Sequence, residues 1–384
     1  MTIPLKITAI GDLHFGNPRI NSEDLYNNLC KFLYPELEDT HLLLLTGDTY
    51  DQLTTVSSNA NRCVLRFISD IFRMSNESGM QIRILHGTYS HDRDQVSVCS
   101  TLTQPNTRAA VISAITTERL SDFRSYKGPA EGSLQLLYIP DNLPYKKSQD
   151  VISHIQKVYT CAGIDEADII LGHGTCSYTL NCAIEHYPPC TYEVSELQEL
   201  LNDNGIGIFG HIHTPSHSDK IYYCGSFERM VHGEEEKKGF RTFTRQNNKW
   251  VNKFIVNQNA RPFITITPQG NDVEECINDY MAQVKAKFDL NKPGWVRVVY
   301  SEPEFRAIYQ RITLQEFPKL IFNGKSIKDA DVIQIQLDNI SLANDDVKPS
   351  PENLGELVYQ FLEEKQCVND IAKSTIIEAV SRLI

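Results

Sequence analysis

Carboxylates and imidazoles recur along the first 215 residues in short islands: Gly11-Asp12-Leu13-His14, Gly47-Asp48, Ser90-His91-Asp92, Gly172-His173 and Gly210-His211-Ile212-His213. Oxygen and imidazole donors mixed in this way suit Mn, Fe or Zn better than an all-oxygen calcium site. Two such ions about 3.5–4 Å apart can share one hydroxide as nucleophile and clamp a phosphate oxygen. The chain has no G-x-S-x-G elbow, so no covalent serine intermediate is expected. One Asp-x-His step says little, since strand-end caps and turns use the same residues. The whole ordered series is what points to a two-metal site.

Positioning these residues requires strands that end together. Ile7–Ile10, Leu42–Leu45, Ile82–Leu85, Leu134–Ile139, Ile169–Leu171 and Ile206–Phe209 are short apolar runs bounded by Gly, Asp, Pro or His. Such runs read as buried strands. Between them, Val64, Phe67, Ile68, Ile71 and Phe72 fall at helical spacing, as do Val151, Ile155 and Val158. The alternation predicts an α/β layered domain whose strand ends gather the islands.

From Lys220 the pattern changes. Ile221–Cys224, Arg241–Thr244 and Trp250–Val256 read as consecutive antiparallel strands, with a turn at Gln246-Asn247-Asn248. A separate α+β unit then follows: a strand at Phe263–Thr267, a helix at Asp272–Phe288, a strand at Trp295–Tyr300, a less regular helical stretch, and a strand at Val332–Leu337. Asn339–Pro351 is linker-like. Ser350-Pro351-Glu352 has the form of a helix start, and Leu354–Leu362 and Ile376–Ile384 carry two apolar stripes.

The islands resemble the calcineurin-like metallophosphoesterases, whose pattern is D-x-H, G-D, G-N-H-D, G-H and G-H-x-H. The resemblance implies a two-sheet α/β sandwich and two divalent metals, Mn foremost, with Mg, Fe or Zn as the other choices. Carried over, Asp12, His14 and His213 would hold one metal, His173 and His211 the other, and Asp48 would bridge them. His91 would be the non-ligand catalytic acid, with Asp92 beside it in the same catalytic block. The family's Asn ligand falls on Ser90, because Gly87-Thr88-Tyr89-Ser90-His91-Asp92 is longer than G-N-H-D. A hydroxyl is a weaker ligand than an amide carbonyl, so the second metal is expected to bind less firmly.

Within that superfamily the chain is most similar to the SbcD-type nucleases, relatives of the eukaryotic meiotic recombination nuclease. The similarity rests on Gly11–Gly16, on Gly47-Asp48-Thr49-Tyr50-Asp51, and on Gly225-Ser226-Phe227-Glu228-Arg229 followed by Gly233-Glu234-Glu235 and Lys238-Gly239-Phe240. Arg261-Pro262-Phe263 resembles the junction into that family's cap domain. The implied plan is a nuclease domain over 1–263, a DNA-binding cap over 264–338, and a linker with partner-binding helices over 339–384. The implied activity is exonuclease or endonuclease processing of DNA ends, in a homodimer working with an SbcC-like coiled-coil ATPase. A small-nucleotide or phosphoprotein phosphoesterase and a non-catalytic DNA-end scaffold are the competing readings.

Arg241, Arg245, Lys249, Lys253 and Arg261 stand in a stretch without acids, interleaved with Phe243, Trp250 and Phe254. Basic and aromatic residues so mixed can follow a phosphate backbone and stack on unpaired bases. A hairpin with a solvated basic face over an apolar core has the same composition. The C-terminal stripes are likewise open to two readings, a partner-docking element or a hairpin packed on its own domain.

The whole chain, 384 residues at a net charge of −12, argues against broad electrostatic capture of nucleic acid. Residues 241–311 run against that trend, with 11 basic and 7 acidic residues. The ten cysteines form no CxxC pair, and Cys176 near His173 reads as packing rather than as a ligand. No apolar run reaches membrane-spanning length, and Met1–Lys6 leads into a strand rather than a secretory signal. The expected location is the cytoplasm, with no membrane partner.

Overall fold

A computed structural model describes residues 2–141, 143–145, 147–179, 190–300 and 303–326. The chain divides into two compact units, Met1–Phe263 and Ile264–Ile384.

The strands of the first unit are β1 (Lys6–Ile10), β2 (Leu42–Leu45), β3 (Gln81–Leu85), β4 (Arg108–Ile112), β5 (Thr116–Ser125), β6 (Gly128–Ile139), β7 (Ala167–His173), β8 (Thr175–Cys176), β9 (Thr191–Tyr192), β10 (Leu201–Gly210), β11 (Ser216–Ser218), β12 (Ile221–Tyr223), β13 (Gly239–Gln246) and β14 (Lys249–Val256). β8 and β9 pair with each other, and two six-stranded mixed sheets take the other twelve. One has the order β14-β13-β1-β2-β3-β4 and the other β11-β12-β10-β7-β6-β5. In the first, β1 to β4 run parallel. In the second, β6, β7, β10 and β12 run parallel.

The unbroken run Leu42–Leu45 shows why both faces of these sheets are apolar. Leu42 and Leu44, with Ile7 and Ala9, share one core with Leu134, Leu136, Tyr138, Ile169 and Leu171 of the second sheet. Leu43 and Leu45 point the other way, onto Val64, Phe67, Ile68 and Ile71 of the helix Asn59–Ser78. A strand covered on both sides has no face left for polar alternation. Each fully buried Phe or Ile on that helix contributes roughly 1.5–3 kcal/mol of burial. Ser58 caps its first turn through the Asn61 amide, and Gly79 ends it in a left-handed conformation. On the far side of the second sheet, Val151, Ile155 and Tyr159 of the helix Ser148–Ala162 pack against Leu137, Ile139 and Ile170. The result is an α/β unit layered helix, sheet, sheet, helix.

The region after Lys220 differs from the expected antiparallel series. β12 lies parallel to β10 in the second sheet, whereas β13 and β14 cross to the first and join β1. Asn247 and Asn248 close the β13–β14 hairpin with positive φ at both positions, 49° and 61°. That conformation matches the twist of the flanking strands. β4 and the edge strand β5 were not foreseen. β5 has a mostly wet, polar outer face (Thr117, Arg119, Ser121, Arg124) that hides its strand character.

The second unit is described through Ser326. Strands β15 (Phe263–Ile266), β16 (Gly294–Tyr300) and β17 (Leu320–Ser326) form one sheet in that order. Tyr280 and Val284 of the helix Val273–Lys287 and Tyr309 of the helix Pro303–Glu316 complete its core with Val296, Val298 and Leu320. The third described strand is therefore Leu320–Ser326, where a three-residue apolar run, Leu320-Ile321-Phe322, suffices once it pairs with β16. The expected strand at Val332–Leu337, the linker and both C-terminal stripes lie outside the described residues. Among the described residues, no helix is long and apolar enough to cross a membrane.

Candidate metal centre

The parallel strands deliver the islands to one edge of the first unit. Asp12 and His14 follow β1, Asp48 follows β2, and Thr88 to Asp92 follow β3. His173 ends β7 in register with Gly210, which ends β10 just before His211 and His213. The ladder continues beyond the strands: the Asp12 and His14 amides donate to the carbonyls of Gly47 and Asp48 at 3.0 Å. Four of these residues sit at positive φ: Asp12 and His14 at 49°, Asp48 at 50° and His211 at 88°. For residues other than Gly this costs on the order of 1–3 kcal/mol each, and such strain gathers at functional sites. The glycines have a steric task. A Cβ on Gly47 would run into His173 Nδ1, and one on Gly87 into Asp48.

Two donor sets result, Asp12–His14–His213 and Asp48–His173–His211, each with its ligand atoms within 4.8 Å of one another. Nε2 of His14 faces Nε2 of His213 at 3.1 Å. Nε2 of His173 lies 3.3 Å and Nε2 of His14 3.8 Å from the same Asp48 oxygen, Oδ2. Asp48 thus stands between the sets. The outer ring nitrogens are occupied: His173 Nδ1 donates to the Thr46 carbonyl at 2.7 Å, and His213 Nδ1 to Glu234 at 2.7 Å. Fixing Nδ1 in this way leaves Nε2 as the atom that could ligate a metal. Asp12 Oδ1 accepts from the His211 amide, but its buried Oδ2 has no hydrogen-bond partner. A buried, unpaired carboxylate oxygen beside inward-facing imidazole nitrogens fits a divalent cation, and these groups could hold one.

The block after β3 corrects two expectations. Ser90 is exposed. Thr88 takes the place expected for it: Thr88 Oγ1 lies 3.3 Å from His173 Nε2 and 3.4 Å from both His211 Nδ1 and Asp48 Oδ2. Thr88 N also donates to Asp48 Oδ1 at 2.7 Å. The two extra residues, Tyr89 and Ser90, extend the turn outward, while Thr88 keeps its contact directly after Gly87. Counting forward from the glycine, rather than back from the histidine, would have found it. Asp92 does not face the donor sets. It is buried, and its two oxygens accept from the amides of Tyr50 and Gly87. It braces the loops after β2 and β3. His91 sits at the rim, half-buried, with Nδ1 held 2.5 Å from the Asp51 carbonyl and its ring edge-on to His14.

Sequence reasoning also passed over Asp51, Asp141 and Glu234. The Asp51 carboxylate comes within 3.2 Å of His14 Nδ1, and His14, Asp51 and His91 form a third donor set. Asp141 accepts from Thr88 Oγ1 at 3.3 Å. All three lie outside the repeated Gly-Asp and Gly-His pattern. Cys176 is buried in the core, and burial pushes its thiol up to about 12, which leaves it inert as a nucleophile.

The charges are strongly coupled. Burial alone would raise the Asp48 carboxyl, but His173, His14 and His91 hold it well below the usual range. Burial would lower His173, but Asp48 above all, then Asp12 and Asp141, push it up to about 10. Burial and the charge on His173 depress His211 to about 3. The Asp48 carboxylate thus favours the protonated form of His173.

The basic residues do not form one surface. On β13, Arg241 and Arg245 share the inner side with Phe243, whereas Lys249 and Lys253 on β14 pair with Gln246 and Thr242 on the outer side. The two-residue turn reverses the parity, so odd numbers face inward on β13 and outward on β14. Arg241 is buried, donating to the carbonyls of Tyr223 and Ser216, and lies over the rings of Tyr222 and Phe254. It closes the edge between the sheets instead of meeting a ligand. Arg261 is paired with Asp24. Lys249 and Lys253 are exposed, and Arg245 is partly so.

No protein-family model matches the chain, and no curated protein matches it. Solved structures do: one crystal structure is similar over 66% of this chain and 100% of its own length, at 10% identity and a TM-score of 0.37.

Proposed function

We propose that the chain is a metal-dependent phosphodiesterase of the calcineurin-like kind, acting on DNA as an SbcD-type nuclease. The observation that carries the chemistry is the pair of donor sets, Asp12–His14–His213 and Asp48–His173–His211, meeting at Asp48. In this reading the layered α/β unit is the nuclease domain, the unit from Ile264 is the cap, and residues 339–384 dock on an SbcC-like ATPase in a homodimeric assembly.

Divalent ions held there, Mn by preference, would polarise a phosphoryl oxygen and supply a nucleophile from water near neutral pH. The residues do the rest. Asp48 lies within reach of both sets, and Thr88 places a hydroxyl where the resembled family has an amide. His91, anchored at Nδ1 by the Asp51 carbonyl, directs Nε2 away from that anchor; in its cationic form it delivers a proton to the leaving oxygen. Asp92 keeps the two loops in register. DNA as substrate rests on the resemblance over residues 5–265 and on Lys249, Lys253 and Arg245.

The test is direct. Chelated protein is resupplied with Mn and given labelled duplex DNA or a chromogenic phosphodiester. Cleavage of both, abolished by EDTA, is expected. Cleavage of the small ester alone would move the substrate to small phosphodiesters, and cleavage of neither would overturn the enzymatic reading.

A further inference from the structure

Residues Gly233 to Lys238 form a charged run, Gly-Glu-Glu-Glu-Lys-Lys, of which the chemistry above uses only the Glu234 contact with His213. A solvated loop is the ordinary fate of such a run, yet two of its members turn inward. Glu234 is buried, and Lys238 is fully buried. Both act on His213. Glu234 Oε1 accepts from His213 Nδ1 at 2.7 Å, while its other oxygen accepts from the Met230 amide at 2.9 Å. Lys238 Nζ donates to the His213 carbonyl at 2.9 Å and lies 3.2 Å from Glu234 and 2.5 Å from Glu236. Those three contacts match the three donors of an ammonium group. Arg229 fastens the run from outside by donating to the Glu236 carbonyl at 2.7 Å.

One residue therefore holds the ring of His213 and the other holds its main chain. A buried ion pair is a poor device for stability alone, since desolvation offsets much of the attraction. A carboxylate on the outer nitrogen of a ligating imidazole fixes its tautomer and raises its basicity. We propose that Glu234 and Lys238 are positioning residues that clamp His213 against Asp12 and His14 and so set the affinity of that one metal position. The proposal rests on the metal reading above, though not on the identity of the substrate.

The experiment measures metal uptake rather than turnover. Metal-free full-length wild type, Glu234→Gln and Glu234→Ala are titrated with Mn, and their metal-free melting temperatures are recorded. The Gln variant keeps an acceptor for the Met230 amide but loses the charge on His213. Loss of such a partner typically weakens metal binding about 10- to 100-fold, and that loss is expected at one position only, with little change in melting temperature. Equal loss at both positions with a fall in melting temperature would assign the pair a merely structural role, as would unchanged affinity. Wild type loaded with Zn gives a check independent of any variant: its nitrogen NMR spectrum should show His213 protonated at Nδ1 and ligating through Nε2. The reverse tautomer would overturn the clamp. Wild type that takes up no divalent cation would remove the metal reading and the clamp together.

Discussion

His91 donates its Nδ1 proton to the main-chain carbonyl of Asp51, 2.5 Å away, while the Asp51 carboxylate reaches to 3.2 Å from His14. The loop after β2 thus holds the proposed acid through its backbone and approaches the proposed metal ligand His14 through its side chain. Because the His91 anchor is a carbonyl, no substitution of the Asp51 side chain removes it.

That separation makes His91 a test of chemistry apart from binding. His91→Gln should keep both metals and DNA affinity, and lose about 10²- to 10⁴-fold in rate, the usual weight of a general acid. Single-turnover cleavage at saturating Mn, beside metal analysis of the purified variant, gives the answer. Depletion of metal in the variant would make His91 a ligand, consistent with its place in the third donor set.

Thr88 and Ser90 should behave oppositely. Thr88 Oγ1 touches His173, His211 and Asp48, whereas Ser90 is exposed. Thr88→Val, which keeps the shape and removes the hydroxyl, should weaken one Mn by about 10-fold or more, the scale of a lost metal-site partner. Ser90→Ala should change nothing. Mn titration followed by electron paramagnetic resonance distinguishes the two. A response at Ser90 and none at Thr88 would return the ligand role to Ser90.

The islands were legible because their chemistry is local: Asp-x-His and Gly-His-x-His fix type and spacing in a few residues, and the apolar runs before them mark parallel strands. Thr88 was not, because the inserted turn moves the match when it is counted back from His91, whereas the hydroxyl directly after Gly87 is the one that stays beside Asp48. Asp51 and Glu234 act through single contacts with His14 and His213 that leave no periodic trace. The basic stripe misled for a reason of parity: a two-residue hairpin reverses which side odd-numbered residues face, so Arg241 went into the core while Lys253 stayed out. β5 stayed hidden because an edge strand with one wet face looks like loop.

Asp48 should be the residue whose loss is felt at both metal positions, since its Oδ2 lies near His14 and His173 alike. Asp48→Asn should abolish Mn-dependent cleavage and lower the bound metal while the fold persists. Metal analysis and circular dichroism of the same sample check this. An active variant with full metal content would remove Asp48 from the bridging place.

The proton on His173 gives a prediction that needs no substrate. Its folded-state value is raised from 6.5 to about 10, mainly against burial and through Asp48. A raised value means the folded chain binds a proton that the unfolded chain releases earlier. The associated stability is fully present below pH 6.5 and is lost as the pH climbs through about 10. Metal-free protein should therefore lose melting temperature across that window, and Asp48→Asn should flatten the dependence by removing the counter-charge. A metal ion held there would take the place of the proton, so Mn binding at pH 8 should release about one proton or more per chain. Calorimetric titrations in two buffers of different ionisation enthalpy measure that number. No release at pH 8, with a melting temperature indifferent to pH in the wild type, would mean that His173 is already neutral and that Asp48 carries its charge unpaired.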